Sequence, residues 1–443
     1  MAALPSAPGA VLEHVRPGAD VIAAMANGEP VGLLDALEAG HARLRNVRVH
    51  QMHALHERAY IEGAYPGELR HVSYFLSAAT RAAYWAGGCD LVPNHFSEMP
   101  HLLRTETRCS LVVAAASPPD RHGYFSLGTN AEYVAALIGR VPFFLEVNHR
   151  MPRTQGLNQL HASQVLGWAE ADRPLVEVAP AVPDERDRAI AASIVERVPD
   201  GATLQVGIGG IPNAVLAALV DHRHLGIHTE LLSDGIVDLV ERGVVTGTRK
   251  RLRPNKVVTT FALGTQRLYD WLHENTAVEF LPVDYVNDPR TVAREPSFVS
   301  INATTEVDLY GQCASETIAG RYWSSSGGQA DFARGALYSD GGQAFIVLHS
   351  TTSRGESRIK LHLTEGSVVT TLKNTVDHVV TEWGIAKLRG RSLGDRARAL
   401  IAIAHPDHRD ALERDARAAG LIRDLRVSTR SLPELARMPA GGA

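Results

Sequence analysis

The stretch "VGIGGIPNAVLAAL" (residues 206–219) has the order strand, glycine turn, helix, which is typical of an α/β fold. Its glycines allow positive φ angles and let a ligand approach the backbone closely. Pro212 suits the first turn of a helix, where its missing N–H is not needed. The free N–H groups of that turn and the helix dipole would face an anion or a developing negative charge.

This glycine loop matches neither of the two common nucleotide-binding motifs. A Rossmann fingerprint requires a glycine where Pro212 stands, and a P-loop requires Gly-Lys-Ser/Thr. On its own, a loop of this kind is as often a plain strand–helix turn as a ligand site. Its interpretation therefore depends on the segments that follow it.

A glutamate follows the glycine loop at the end of the next predicted strand. "HTELLSDG" (residues 228–235) is typical of a strand end and a turn, with a helix predicted from Ile236. Glu230 would then lie at the carboxyl end of a parallel strand, where open α/β sheets bind their ligands. The local pattern alone slightly favours the alternative, an ordinary acidic residue on the surface.

Strand-like and helix-like patterns alternate along the whole chain. "CSLVVAAASP" (109–118) and "VPFFLEVN" (141–148) are typical of buried strands, and "NAEYVAALIGR" (130–140) predicts a helix with Asn130 as N-cap. The second half repeats the alternation with "KVVTTFAL", "AVEFLPVDYV", "FVSINATTEVDL", "QAFIVLHS" and "HVVTEWGIA" before a helical tail. The sequence thus predicts an α/β protein with mostly parallel sheets covered by helices.

The length of 443 residues favours two or three domains. "EVAPAVPDE" (177–185) is rich in proline and acid, and a new amphipathic helix, "RDRAIAASIVERV", follows it. We place a linker at about 178–187. The predicted domains are residues 1–180 and 187–435.

The composition excludes several classes of function. The hydrophobic fraction of 45% and the charged fraction of 21% are typical of a globular protein with sizeable cores. A net charge of −4 favours neither nucleic acid nor an anionic membrane as a partner. With no signal-peptide pattern and no apolar run of membrane-spanning length, we expect a cytoplasmic location.

We expect no metal site. Cys89, Cys109 and Cys313 are far apart without CxxC spacing, which fits a reducing compartment, and the twenty histidines include no HExxH motif.

Five segments together resemble the acetyl-CoA hydrolase/transferase family, in particular class I CoA-transferases of the 4-hydroxybutyrate and butyryl-CoA:acetate type. They are "GIGGIPNAVL…HTELLSDGIVDLVERG", "PVDYVNDP", "INATTEVDLYGQ", "SSSGGQADFARGA" and "VVTEWGIAKLRGRSLGDRARALIAIAHP", which span residues 204–406. "SPPDRHGYFSLGTN" (117–130) resembles the family's N-terminal domain more loosely. The resemblance implies two similar open α/β domains, mostly parallel, with the active site between them.

The resemblance also implies roles for individual residues. Glu230 matches the nucleophile that forms a γ-glutamyl-CoA thioester, and Gly328 matches a backbone donor near the thioester oxygen that also contacts CoA. Asn287 and Glu382 match polar residues that line the same site. The matched CoA contacts are Gly207, Ile208, Gly209, Gly210, Ile211 and Thr305. Ala330 and "NATTE" depart from the family pattern, which leaves the shape of the acyl pocket open.

The implied activity is transfer of CoA from a short-chain acyl-CoA to a carboxylate such as acetate by ping-pong kinetics, in a homo-oligomer and without a metal. An acyl-CoA hydrolase is the main alternative, because water could intercept the same intermediates. A CoA-binding protein without turnover and a nicotinamide dehydrogenase fit the residues less well.

Other residues compete for the catalytic role. Glu306 and Glu382 are rival nucleophiles to Glu230, and Cys313 is a weaker one. "NHFSEMP" (94–100) brings His95, Ser97 and Glu98 together in sequence, as a Ser-His-acid triad would require in space. The basic run "TGTRKRLRPNK" (246–256) could meet CoA phosphates, although such runs are more often solvated hairpins.

Overall fold

The computed structural model describes residues 5–423, and two large β-sheets dominate it. The first sheet has seven strands, and every pairing within it is parallel. From one edge to the other, its strands are Val165–Ala171, Phe143–Asn148, Cys109–Ala116, Asp20–Ala23, Val47–Gln51, Leu69–Ser73 and Asp90–Leu91. We call residues 5–171, which carry this sheet, the first half.

The second sheet has nine strands and is parallel except for an antiparallel hairpin at one edge. In spatial order its strands are Gly384–Lys387, His378–Thr381, Gln343–Val347, Phe298–Ala303, Thr203–Val206, Gly226–Leu232, Val257–Ala262, Val278–Phe280 and Gln155–Gly156. We call residues 185–423 the second half.

Helices and smaller strand pairs complete the two halves. The α-helices are Val31–Ala39, Ala78–Trp85, Met99–Thr105, Glu185–Val195, Gly210–Ala218, Asp234–Glu241, Gln266–Leu272, Val283–Val286, Pro289–Val292, Gln329–Tyr338, Leu393–Ala402 and Pro406–Ala418. The minor strands are Tyr124–Ser126 with Gln159–His161, Thr317–Ile318 with Arg321–Tyr322, and Glu306–Asp308 between Cys313–Ala314 and Ile359–Lys360. None of the helices in residues 5–423 is long and apolar enough to cross a membrane.

The strands form where short apolar runs can be buried on both faces. Cys109–Ala116 and Val257–Ala262 each bury at least six consecutive residues, as strands of a parallel sheet covered on both sides do. Asp184 caps the helix Glu185–Val195 by accepting a hydrogen bond from the N–H of Asp187. The prediction of an α/β fold with open, mostly parallel sheets is confirmed.

The two halves share a core, and the chain crosses between them. A single hydrophobic cluster includes buried side chains of both halves, such as Phe96 and Val206. The first part of the chain also adds Gln155–Gly156 to the edge of the second sheet. Residues 172–184 have no helix or strand. The domain limits 1–180 and 187–435 stay a prediction, and position 435 lies outside the described residues.

The helix predicted over residues 130–140 is wrong, because this segment contains only the short 3₁₀ turn Ala135–Leu137. The backbone N–H groups of Ala131 and Glu132 both donate to the carbonyl of Thr260 (2.8 and 3.0 Å) in the second sheet. The side chain of Asn130 donates to the carbonyl of Met25 (2.9 Å) and caps no helix. Contacts between the halves therefore override the local helical pattern.

Candidate active site

A cavity of about 350 Å³ lies between the two sheets, and both sheets line it. On the first-half side, Met25, Met52 and Phe75 line it, each within two residues of the end of a parallel strand. On the second-half side, Gly207 and Glu230 occupy comparable strand-end positions. The carboxyl ends of the two sheets therefore meet at one cavity, where open α/β sheets bind their ligands.

Glu230 reaches this cavity from the strand Gly226–Leu232. Its Oε2 accepts a hydrogen bond from Nδ2 of Asn287 (2.6 Å), and the backbone N–H of Gly328 also donates to the carboxylate. Burial raises the pKa of Glu230 to about 7, although both hydrogen bonds act in the opposite direction. A carboxyl group with this pKa is ionised in part at neutral pH and is poorly solvated, as an attacking carboxylate should be.

Asn287 is held in place from the strand that carries Glu230. His228 lies two residues before Glu230, so both side chains point to the same face of the strand. The ring Nε2–H of His228 donates to the carbonyl of Val286 (2.7 Å), next to Asn287. Burial lowers the pKa of His228 to about 3, so the ring is neutral. His228 thus helps to orient Asn287, which donates to Glu230, and it adds no charge to the site.

Gly328 precedes the helix Gln329–Tyr338 as its N-cap, and its φ of −98° is open to any residue. The requirement for glycine is steric. A Cβ on residue 328 would lie 2.0 Å from Glu230 Oε2 and 2.3 Å from Asn287 Nδ2. The structure therefore brings together the predicted residues Glu230, Asn287 and Gly328.

The glycine loop has an open face and a packed face. Gly207 and Ile208 line the cavity, and Ile208 is 51% exposed. Gly209 has a φ of +118°, a conformation that requires glycine, and with Ile208 it lines an adjoining cavity of about 310 Å³. A Cβ on Gly210, in contrast, would lie 2.3 Å from Oδ2 of Asp187, and Ile211 is buried. Only the first three loop residues face open space.

Besides Gly210 and Ile211, two further predicted site residues, Glu382 and Thr305, do not line the Glu230 cavity. Glu382 accepts hydrogen bonds from the backbone N–H and the hydroxyl of Ser350 (2.9 and 2.7 Å) and is not among the residues that line the cavity. The hydroxyl of Thr305 lies within hydrogen-bond distance of the carbonyls of Ala314 and Thr317 (2.5 and 2.9 Å), so its single proton is used within the protein. Glu306 accepts from Thr364 and pairs with Lys360. The functional roles assigned to Glu382 and Thr305 stay predictions.

The other competing residues have structural partners. The Ser97 hydroxyl donates to Asp331 (2.8 Å) and forms no triad with His95. Lys250, in the basic run, is buried and donates to backbone carbonyls of Ile227 and Lys256.

The cysteines are free thiols, and burial raises the pKa of Cys313 well above its ordinary value. Such a thiol is a poor nucleophile at neutral pH.

One group of side chains within residues 5–423 has the spacing of metal ligands. Potential ligand atoms of Asp184, Asp187 and His349 lie within 4.8 Å of one another. Each already has a protein partner, because the two aspartates cap a helix reciprocally and His349 Nε2 bonds Asp187 Oδ1 (2.8 Å). The expectation that the reaction needs no metal stays a prediction.

The sequence analysis missed the apolar wall that the first half contributes. This wall consists of the apolar side chains of Met25, Met52, Phe75 and Phe96, together with the imidazole of His53. No local motif marks these residues. The strand-end rule that identified Glu230 would have pointed to three of them, had it been applied to the first sheet.

Comparison with known proteins shows the family of the chain. Residues 6–176 match the acetyl-CoA hydrolase/transferase N-terminal domain, and residues 264–416 match the C-terminal domain of the same name. Succinyl-CoA:cyclohexane-1-carboxylate CoA transferase of Geobacter metallireducens is 45% identical over 89% of this chain and 91% of that protein. 4-Hydroxybutyrate coenzyme A transferase of Clostridium kluyveri is 42% identical over 88% of this chain and 92% of that protein.

A solved structure is also similar to this chain over most of its length. The crystal structure of RipA from Yersinia pestis superposes with a TM-score of 0.87 at 38% identity and covers 94% of this chain and 98% of that one. The resemblance read from the glycine loop and the segments after it is confirmed, and the chain belongs to the acetyl-CoA hydrolase/transferase family.

Proposed function

We propose that this protein transfers CoA from a short-chain acyl-CoA to a carboxylate such as acetate, with Glu230 as the covalent nucleophile. The observation that carries the proposal is the carboxylate of Glu230, which meets Asn287 Nδ2 and the N–H of Gly328 at a cavity shared by both sheets. CoA-transferase relatives at 42–45% identity support this class of reaction.

The reaction begins when a carboxylate oxygen of Glu230 attacks the thioester carbon of acyl-CoA and displaces CoA thiolate. The product is a mixed anhydride between the acyl group and the glutamate. The thiolate then attacks the glutamyl carbonyl carbon and displaces the first carboxylate, which leaves glutamyl-CoA. A second carboxylate reverses the two steps, so that a new acyl-CoA forms and Glu230 is regenerated.

The neighbours of Glu230 have the chemistry that these steps require. Negative charge develops on a glutamyl oxygen in each tetrahedral state formed at the Glu230 carbonyl. Asn287 Nδ2 and the N–H of Gly328 already point at that carboxylate, so they can stabilise this charge with little reorganisation. On the open face of the glycine loop, Gly207 and Gly209 leave their backbone accessible to the thiol end of CoA, and the exposed side chain of Ile208 lies between them.

Trapping of the intermediate tests the proposal. The protein is incubated with acyl-CoA alone and reduced with borohydride, and peptide mass spectrometry locates the residue converted to an alcohol. We expect modification at Glu230. Modification at Glu306 or Glu382 would reassign the nucleophile.

The hydrolase alternative is measured in the same preparation. Thiol release without acetate is compared with CoA transfer when acetate is present, and we expect transfer to dominate. Thiol release that acetate does not suppress would identify an acyl-CoA hydrolase instead. A cytoplasmic location and a homo-oligomeric state belong to this proposal as predictions.

A further inference from the structure

Contacts from the first half hold the segment that carries Gly328. We call residues 322–331 the serine-glycine segment. At its start, the indole Nε1 of Trp85 donates to the carbonyl of Tyr322 (2.9 Å). Nε of Arg81 donates to the carbonyl of Trp323 (2.8 Å), and its guanidinium lies 3.8 Å above the Trp323 ring. These contacts fix the chain five residues or more before Gly328.

A second set of contacts fixes the segment immediately on either side of Gly328. The backbone N–H of Phe96 donates to the carbonyl of Gly327 (3.1 Å). Three residues after Gly328, Asp331 receives both donors of Ser97: the N–H at Oδ2 (3.0 Å) and the hydroxyl at Oδ1 (2.8 Å). The amide of Gly328 thus lies between two anchors that come from the first half.

A need to hold the two halves together does not by itself explain why residue 331 is an aspartate. Asp331 is only 4% exposed, and burial raises its pKa to about 8 against the two hydrogen bonds from Ser97. The nearby charge of Glu230 raises this pKa further, as does that of Glu98. Burying an acid behind another carboxylate costs stability, whereas an apolar contact would join the halves at no such cost.

We propose that Ser97 and Asp331 are positioning residues, which hold the first turn of the helix Gln329–Tyr338 so that the N–H of Gly328 points at Glu230. The inference rests on the proposed function, and it assigns to the first half a part in the chemical step. Because the pair acts through Gly328, its loss should weaken stabilisation of the tetrahedral state more than substrate binding.

The test compares two variants that each remove one hydrogen bond between the halves. Ser97→Ala removes the hydroxyl bond to Asp331, next to Gly328. Trp85→Phe removes the indole bond to Tyr322, six residues before Gly328, and keeps an aromatic ring. We expect Ser97→Ala to lower kcat and the single-turnover rate of glutamyl-CoA formation by about tenfold, with KM for acyl-CoA within twofold. Trp85→Phe should stay within twofold of the parent protein in both.

Two further variants test whether the loss of kcat comes from the contact between Ser97 and Asp331. Ser97→Thr keeps the hydroxyl and should recover most of the rate. Asp331→Ala removes both acceptors and should lose at least as much rate as Ser97→Ala, and the double variant should lose no more than Asp331→Ala alone, because both changes break the same contact. Thermal unfolding of all variants checks that they fold.

Other outcomes identify which idea fails. Equal losses in Ser97→Ala and Trp85→Phe, or a raised KM with normal kcat in Ser97→Ala, would reduce the pair to a contact that only joins the halves. If the parent protein forms no adduct at Glu230, the proposed function fails and the inference fails with it.

Discussion

The two halves of the molecule meet at one cavity but bring different chemistry to it. The second half provides every polar group that touches the Glu230 carboxylate in the described structure, namely Asn287 Nδ2 and the N–H of Gly328. The first half provides side chains such as Met25 and Phe75, which can shape an acyl group but cannot react with it. The comparison predicts that, among the residues lining the cavity, those of the second half carry the reaction and those of the first half select the acyl group, so changes in the two linings should have different kinetic signatures. Ser97 of the first half would act on the reaction only indirectly, through Asp331 and Gly328.

Loss of the nucleophile should give the largest effect. Glu230→Gln keeps the shape of the side chain and a hydrogen-bond partner for Asn287, but an amide does not attack a thioester. We expect CoA transfer to fall at least about 10³-fold, with CoA affinity within a few fold as measured by calorimetry. If the repurified Glu230→Gln protein still transferred CoA at a substantial rate, the nucleophile would be another residue of the cavity.

The next largest effect should come from Gly328→Ala. The added Cβ would lie 2.0 Å from Glu230 Oε2, so the carboxylate, the amide or both must move. We expect kcat to fall by about a hundredfold, the usual effect of removing one oxyanion donor, with a smaller change in KM. Stopped-flow detection of thiol release measures the chemical step directly.

Ala330→Gly is the matched control for Gly328→Ala. It alters the same helical turn without crowding the carboxylate, and it should stay within about twofold in kcat. A normal kcat in Gly328→Ala, with only KM raised, would show that this glycine shapes the pocket and donates no catalytic hydrogen bond.

The pH dependence should follow the ionisation of Glu230. Because the carboxylate must be ionised to attack and its pKa lies at about 7, kcat/KM should fall about tenfold per pH unit below 7 and level off above it. A profile that is flat from pH 5 to 8 would mean that Glu230 has an ordinary pKa in the free enzyme.

Protein stability should respond to the same ionisation with the opposite sign. The pKa of Glu230 is raised in the folded state from an ordinary value of 4.5, so its ionisation destabilises the fold progressively from about pH 4.5 and fully above about pH 7. Glu230→Gln removes this cost. Denaturant unfolding should therefore show the variant more stable than the parent protein at pH 8, and the advantage should vanish below pH 4.5.

A change in the first-half wall should have a different signature. Phe75→Ala removes an aromatic ring from the cavity without touching Glu230. We expect KM for a butyryl donor to rise by about tenfold, the effect of losing roughly 1.4 kcal/mol of apolar contact, with kcat within threefold. Tyr124→Ala, an exposed aromatic residue of the same half outside the cavity lining, is the control. If Phe75→Ala lowered kcat instead, the division between the two halves would not hold.

This division also explains what the sequence could predict. The glycine loop and Glu230 belong to one continuous strand–loop–helix–strand unit, so their proximity follows from local pattern and the strand-end rule. The roles of Asn287 and Gly328 came only from the resemblance, because residues 57 and 98 positions after Glu230 reach it through the tertiary fold. Their contacts with Glu230 are in the structure, while their catalytic roles stay a proposal.

The first half was harder to predict for the same physical reason. Met25 and Phe75 follow strands that carry no motif, and the choice of side chain at such positions reflects a cavity that a second sheet completes. The segment 130–140 has the apolar spacing of a helix, yet Ala131 and Glu132 use their N–H groups on Thr260 of the other half. Where segments of the two halves contact each other, local helix propensity does not predict the secondary structure.

The smallest effect on turnover should come from Glu382→Gln, although the resemblance places Glu382 in the active site. Its carboxylate accepts the N–H and the hydroxyl of Ser350, which is fully buried, and it does not line the cavity around Glu230. An amide can keep one of these bonds but presents a donor to the other. We expect a loss of about 1–2 kcal/mol in the free energy of unfolding, because a buried donor then lacks its acceptor. The kcat should stay within about twofold below the unfolding transition.

Thermal unfolding and steady-state kinetics on the same preparation separate the two effects, and Glu356→Gln, at an exposed turn, serves as control. A tenfold or larger loss of kcat with unchanged stability would return Glu382 to the catalytic machinery, and would mean that the site extends from Glu230 to the strand pair His378–Thr381 and Gly384–Lys387 once substrate is bound.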